Sequence, residues 1–219
     1  MDNLVMSSAT VGIVISLLAY EIGLAAQRKW KLAVLNPLLI SIVLVIAFLL
    51  VFHVDYESYN LSAKYLSYLL TPATVCLAIP LYLQLDLLKK NILAILGGVF
   101  SGVLASLGSV LAMSVLFGLD HAEYVTMLPK SITTAIGMGI SEELGGYVTI
   151  SVAVIIITGV LGNMSAEYIC KLVRIKSPIS RGLAIGTASH AVGTARAMEL
   201  GEVEGAMSSL AIVVCGLCT

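Results

Sequence analysis

The residues able to do chemistry fall in three short runs that interrupt apolar sequence. One reads Gly186-Thr187-Ala188-Ser189-His190-Ala191-Val192-Gly193-Thr194-Ala195-Arg196. Gly-Thr-Ala occurs there twice, seven residues apart, which returns a helix to nearly the same face. Thr187, Ser189 and Thr194 offer hydroxyls to a substrate. A histidine side chain ordinarily titrates near neutral pH, which suits His190 to proton binding or relay, and Arg196 carries a planar cation that fits a carboxylate. Small residues also serve close helix packing, as in Gly98-x-x-x-Gly102 and Gly182-x-x-x-Gly186. Packing accounts for the glycines. It does not account for His190 and Arg196, because an ionisable group at a bilayer centre costs at least about 2.5–3.5 kcal/mol; for Arg196 a place at an interface is the competing reading.

The second run is Pro129-Lys130-Ser131-Ile132-Thr133-Thr134-Ala135, continuing to Ser141-Glu142-Glu143-Leu144-Gly145-Gly146. Ser131, Thr133 and Thr134 add hydroxyls. Glu142 and Glu143 are candidates for a proton or cation site, with loop solvation as the competing reading, and the glycine pair can turn the chain. The third run, Thr71-Pro72-Ala73-Thr74 to Pro80, places Thr71 and Thr74 beside prolines that remove backbone donors and free carbonyls. Thr71-Pro72-Ala73 and Thr133-Thr134-Ala135 each precede a long apolar stretch, so two structural repeats are expected. Glu199, Glu202 and Glu204 read as a polar turn. No nucleophile elbow, phosphate loop or metal-ligand cluster occurs, and Cys215-x-x-Cys218 has no second pair, so no enzyme, cofactor or metal is expected. Ser189 and His190 are helix neighbours that point apart and form no dyad.

These residues need a membrane scaffold. Of 219 residues, 11% are charged and 59% hydrophobic, with a mean hydropathy of +1.03. So little charge cannot coat a soluble domain, which excludes a soluble enzyme, a nucleic-acid binder and a disordered chain. The net charge of −1 names no charged partner. Spans of about 20 apolar residues are expected from Ser8 to Ala26, from Leu35 to Phe52, from Tyr65 to Leu88 with prolines inside, from Ile92 to Leu119 and from Tyr147 to Ile169. A shorter one follows from Ala206 to Cys218. The first has no basic leader and reads as a retained helix rather than a signal peptide.

Arg28, Lys29 and Lys31 follow the first span, Lys89 and Lys90 the third, and Lys171, Arg174, Lys176 and Arg181 the fifth. The intervening connections carry Asp55, Glu57, Asp120 and Glu123. Basic connections stay cytoplasmic, so the N-terminus is expected outside. Only one good helix lies between Asp120 and Lys171, so residues 129–146 should re-enter without crossing, and residues 182–196 are suspect for the same reason. Such backbone survives at membrane depth only against protein or a water-filled cavity. The expected fold is all-α: a single domain over residues 1–219, polytopic in the cell membrane, with about six to eight membrane segments, some broken or re-entrant.

With Thr71-Pro72-Ala73-Thr74, Pro129-Lys130-Ser131-Ile132-Thr133-Thr134 and Gly186-Thr187-Ala188-Ser189-His190 in view, the chain from about Pro37 to Ser209 resembles the LrgB family. That family includes CidB, YohK-type proteins and the C-terminal half of the plastid glycolate/glycerate translocator. It usually has proline at the position of Ala135 and a longer last helix, so a gentler second break and a missing terminal stretch are expected here. The resemblance implies either a carrier of small monocarboxylates such as pyruvate, glycolate or glycerate, or an antiholin-like regulator of murein hydrolases and lysis. It also implies a small LrgA/CidA-type holin-like partner, and the glycine-rich faces suggest a homo-oligomer. Weighing residue chemistry, the expectation is a carrier. Thr71, Thr74, Ser131, Thr133, Thr134, Thr187, Ser189 and Thr194 would line its site, Arg196 would neutralise the substrate, and His190, Glu142 or Glu143 would couple a proton or ion.

Overall fold

The structure, a computed structural model, describes residues 10–30, 35–76 and 78–219. Ser8 and Lys31 lie outside the described residues, and so do the side chains of Thr71 and Thr74. The regular elements among the described residues are all helical, as expected. Backbone proximity divides the chain into two compact units, the first ending at Cys76 and the second running to Thr219.

In the first unit, α1 (Val11–Trp30) packs against α2 (Pro37–Val51) and α3 (Tyr56–Ala63). Asn36 caps α2 by accepting from the Leu38 and Leu39 amides, and Pro37 opens the helix where a missing N–H is no loss. Gly12, in the first turn of α1, donates its otherwise unpaired amide to Ser62 Oγ at 2.7 Å. A 3₁₀ segment (Lys64–Leu69) leads into α4 (Leu70–Cys76).

The interrupted span expected from Tyr65 to Leu88 is instead a chain of short pieces: the 3₁₀ segment, α4, α5 (Ala78–Leu83) and α6 (Leu85–Lys90). Pro72 is the third residue of α4 and Pro80 the third of α5. First-turn amides have no intrahelical partner, so each proline starts a helix rather than kinking one.

The second unit continues with α7 (Ile92–Phe117), α8 (His121–Met127), α9 (Thr134–Glu143), α10 (Val148–Leu172), α11 (Pro178–Leu200) and α12 (Glu202–Cys218). Helices α1, α7 and α10 are long and apolar enough to cross a membrane, and α2 is apolar but has 15 residues. Gly118, at φ 66°, ends α7. Asp120 and Glu123, expected as acidic loop residues, form a capping box that starts α8.

Two hairpins follow from these contacts. The first descends through α8 to a tip at Lys130–Thr133 and returns through α9. Its tip reaches Ser106, near the midpoint of α7, where Ser106 Oγ and Ser131 Oγ are 3.0 Å apart. Its base closes where Ser151, in the first turn of α10, bonds Ser141 Oγ at 2.7 Å and the Thr126 carbonyl at 2.8 Å. Gly145, at φ 81°, makes the turn into α10. The ten residues of α9 span about 15 Å, half a bilayer core.

The second hairpin is α11 itself, broken at His190, whose φ of 42° and ψ of −140° are not helical. A Cβ built on Gly193 would lie 3.1 Å from the carbonyl oxygen of Ile185. Residues eight apart in a continuous helix are separated by about 12 Å, so the chain has doubled back. The first arm runs beside α7, with Gly98 against Leu183 and Gly102 against Thr187. The second arm returns along α10, bringing Arg196 to Glu167. Thr187 thus meets α7 one turn before Ser106, and the two tips arrive at the same level.

A long helix followed by a hairpin therefore occurs twice, and the hairpins enter from opposite ends, the order of parts found in inverted repeats. This differs from the expected pairing of Thr71 with Thr133: the former lies in a seven-residue helix, the latter occupies the N-cap position of the hairpin arm α9. The Glu199–Glu204 turn is also corrected. Gly201 alone separates the helices, and Glu202 and Glu204 lie in the first turn of α12, where acidic residues favour the helix N-terminus. Ile95, Val99, Val103, Ile132, Leu183, Met207 and Ala211 form the core that ties α7, the first tip, α11 and α12 together.

Candidate functional site

A cleft of about 920 Å³ lies in the second unit. One wall is the small-residue face of α7, including Gly98, Gly102, Ser106 and Ser109, and another is Thr158 and Gly162 of α10. The first arm of α11 contributes Thr187, Ala188 and Ser189, and the first hairpin contributes Lys130 and Ser131 at its tip. Lys130 is the one charged residue among the described residues lining it; the others are small apolar side chains, hydroxyls and Leu183.

Lys130 is held by hydroxyls from two elements. Its Nζ donates to Ser131 Oγ at 3.1 Å and to Ser106 Oγ at 3.2 Å. An ammonium has three donors, so one remains. Among the described residues Lys130 has no carboxylate within ion-pair distance. Hydroxyl-lined walls around one unpaired cation favour an anion small enough to be wrapped by them.

The expected site residues separate into those that line this cleft and those that do not. Ser131, Thr187 and Ser189 line it. Thr187 is buried and donates to the Leu183 carbonyl at 2.7 Å, and Ser189 fills the space over Gly162. Thr133 occupies the N-cap position of α9 without a side-chain capping bond and Thr134 begins the helix, both half-buried and outside the lining. His190 is buried at the second tip, its ring against Gly159, with Nε2 3.0 Å from the Ile155 carbonyl. A carbonyl only accepts, so Nε2 carries the hydrogen. Thr194 is buried between the His190 carbonyl at 2.9 Å and Ser208 Oγ at 2.7 Å. These two residues hold the break together from behind the cleft. Glu142 and Glu143 are exposed at the end of α9.

Arg196 is engaged elsewhere. Its guanidinium donates to Glu167 at 2.8 Å and to Glu199 at 2.5 Å, and Glu167 also pairs with Lys171 at 3.0 Å. The carboxylates that Arg196 holds are thus the protein's own, one on each terminal nitrogen. Arg181 likewise faces the buried Glu204 at 3.5 Å, fastening the start of α11 to the start of α12.

No role is expected from the sequence for Lys130, Ser106 or Glu167, and Glu204 is placed only in a polar turn. A signal for Lys130 exists: nine of the twelve basic residues sit in three connections, and Lys130 is one of three outside them, within a segment argued to re-enter. Glu167 had a weaker signal, a carboxylate inside an apolar span. Nothing distinguishes Ser106 from the other serines of α7.

A family model described as the LrgB-like family matches residues 16–219, a longer stretch than the motifs alone indicate. The chain is 42% identical over 209 residues to the antiholin-like protein LrgB of Bacillus mycoides (strain KBAB4), covering 95% of this chain and 91% of that protein. The antiholin-like protein LrgB of Bacillus cereus (strain B4264) matches to the same extent. The chain is also 39% identical over 215 residues to the uncharacterized protein YxaC of Bacillus subtilis (strain 168), covering 97% and 94%. No solved structure matches significantly.

Proposed function

The chain belongs to the LrgB-like family, and from that premise we propose that it acts as an antiholin-like membrane protein restraining murein hydrolase activity and lysis. The observation carrying this reading is the antiholin-like name borne by relatives that match nearly its whole length. A small holin-like membrane protein is the partner proposed with it, and self-association through glycine-rich faces is proposed as well. The test is expression in a bacterium lacking its own LrgB relative, with and without a holin-like protein, following detergent-induced lysis and murein hydrolase activity. Slower lysis and weaker hydrolase activity are expected; unchanged lysis under both conditions overturns the reading.

A second reading is favoured by the cleft: the chain carries small monocarboxylates. Two re-entrant hairpins ending at one level beside a hydroxyl-lined cleft support transport, because broken segments at mid-depth provide polar backbone where a solute must shed water. Saturable uptake of labelled pyruvate or glycolate into proteoliposomes under an imposed pH gradient tests it, and absence of uptake by folded protein, with or without the partner, overturns it. If carboxylate flux sets the lysis response, both readings hold together.

A further inference from the structure

We propose that Lys130 is the cation that receives a singly charged anion in the cleft, its ammonium held in place by Ser106 and Ser131. This rests on the second reading above, that the cleft takes small carboxylates. The other cations near the two hairpins are occupied: Arg196 by Glu167 and Glu199, Arg181 by Glu204. Lys130 instead has two hydroxyl partners and one donor left, at the level where both hairpins end. The hydroxyls come from different elements, α7 and the hairpin tip, so they fix the ammonium without neutralising it. Lys130 is half-buried, and there the attraction between its charge and an anion is stronger than at a fully exposed surface.

The lining also sets the charge of the ligand. One positive side chain and no carboxylate match a single negative charge. A second negative charge would be desolvated with no partner, which disfavours dianions.

The test uses the purified full-length chain in two measurements, equilibrium binding of labelled pyruvate and uptake of the same probe into proteoliposomes. Lys130→Gln should bind roughly 10- to 100-fold more weakly, the range for a lost hydrogen bond to a charged group. Lys130→Arg should retain most binding, and Arg196→Gln should bind as the parent does. Glycolate should compete with pyruvate, and malonate, a dianion, should not. A folding-independent check uses the parent protein alone: pyruvate should slow acetylation of Lys130 by acetic anhydride, read by mass spectrometry, whereas uncharged acetone should not.

Undiminished binding in Lys130→Gln, or no protection of Lys130 by pyruvate, overturns the assignment while leaving the carrier reading standing if uptake persists. Pyruvate binding that depends on Lys130 without any uptake upholds the assignment and removes the carrier reading. Absence of both binding and uptake in the parent overturns both. Equal competition by malonate overturns the single-charge selectivity.

Discussion

Arg196 and Lys130 both lie in broken segments, and their surroundings separate them. Arg196 lies among carboxylates from α10 and from its own arm of α11, whereas Lys130 has only hydroxyls. The sequence marks both as cations within broken segments, but the pairing of Arg196 with a residue 29 positions earlier depends on the doubling-back of α11 and is not legible from local spacing. The contact between Gly162 and Ser189 is equally long-range. A Cβ on Gly162 would fall 1.7 Å from Ser189 Oγ, so the two helices meet with no room for a methyl group. Gly162→Ala should lower stability by about 1–3 kcal/mol, measured by thermal unfolding in detergent. Adding Ser189→Gly should recover part of that loss, because it removes both atoms in the way; purely additive losses would show that the contact is not the cause.

At the scale of elements, the two hairpins differ in how far the sequence announces them. The first carries its own punctuation: Pro129 before the tip, Gly145 after the returning arm and an imbalance of crossings that requires a re-entry. The second lies in residues 182–196, already suspect from the count of crossings, but the place of its break, a histidine within a seven-residue repeat of small residues, is not announced. No proline or glycine marks the break. It is held by one tertiary contact, from the His190 ring to the Ile155 carbonyl, and by a local bond in which Thr194, four residues on, donates to the His190 carbonyl. A non-glycine residue at that φ stores about 1–3 kcal/mol of strain. His190→Gly and His190→Ala both lose the ring, but only glycine takes the backbone conformation freely. His190→Gly should therefore be more stable than His190→Ala by about 1 kcal/mol, whereas inside an intact helix alanine is preferred by about as much. Denaturation of the two variants decides the point, and the ordinary helical ranking would mean that α11 is continuous.

For the whole molecule, a membrane protein is legible from composition, since too few charges exist to solvate the exterior, and the all-α class from apolar runs long enough for spanning helices. The number of simple crossings is less so, because the stretch from Tyr65 to Leu88 has the apolar content of a span and is broken into short helices. The basic connections lead to the expectation that the N-terminus lies outside. With single cysteines in a background lacking the four native ones, His121→Cys should react with an impermeant maleimide in intact cells, and Lys90→Cys only after permeabilisation. The opposite pattern would place the N-terminus inside.

The closeness of the second hairpin to its neighbours has a consequence for how this chain tolerates change. Around Gly182 and Gly186 the nearest atoms to an added Cβ are the backbone carbonyl oxygens of Glu204 and Ser208, which cannot swing aside as a side-chain tip can. Every substitution there, alanine included, pushes one main chain against another. In a saturation library selected for function, these positions should stand out as a ladder accepting no alternative, while the broad α7 and α10 faces turned outward accept any apolar residue. The fold of α11 would then be recoverable from a table of survivors, written as the places where nothing may be added.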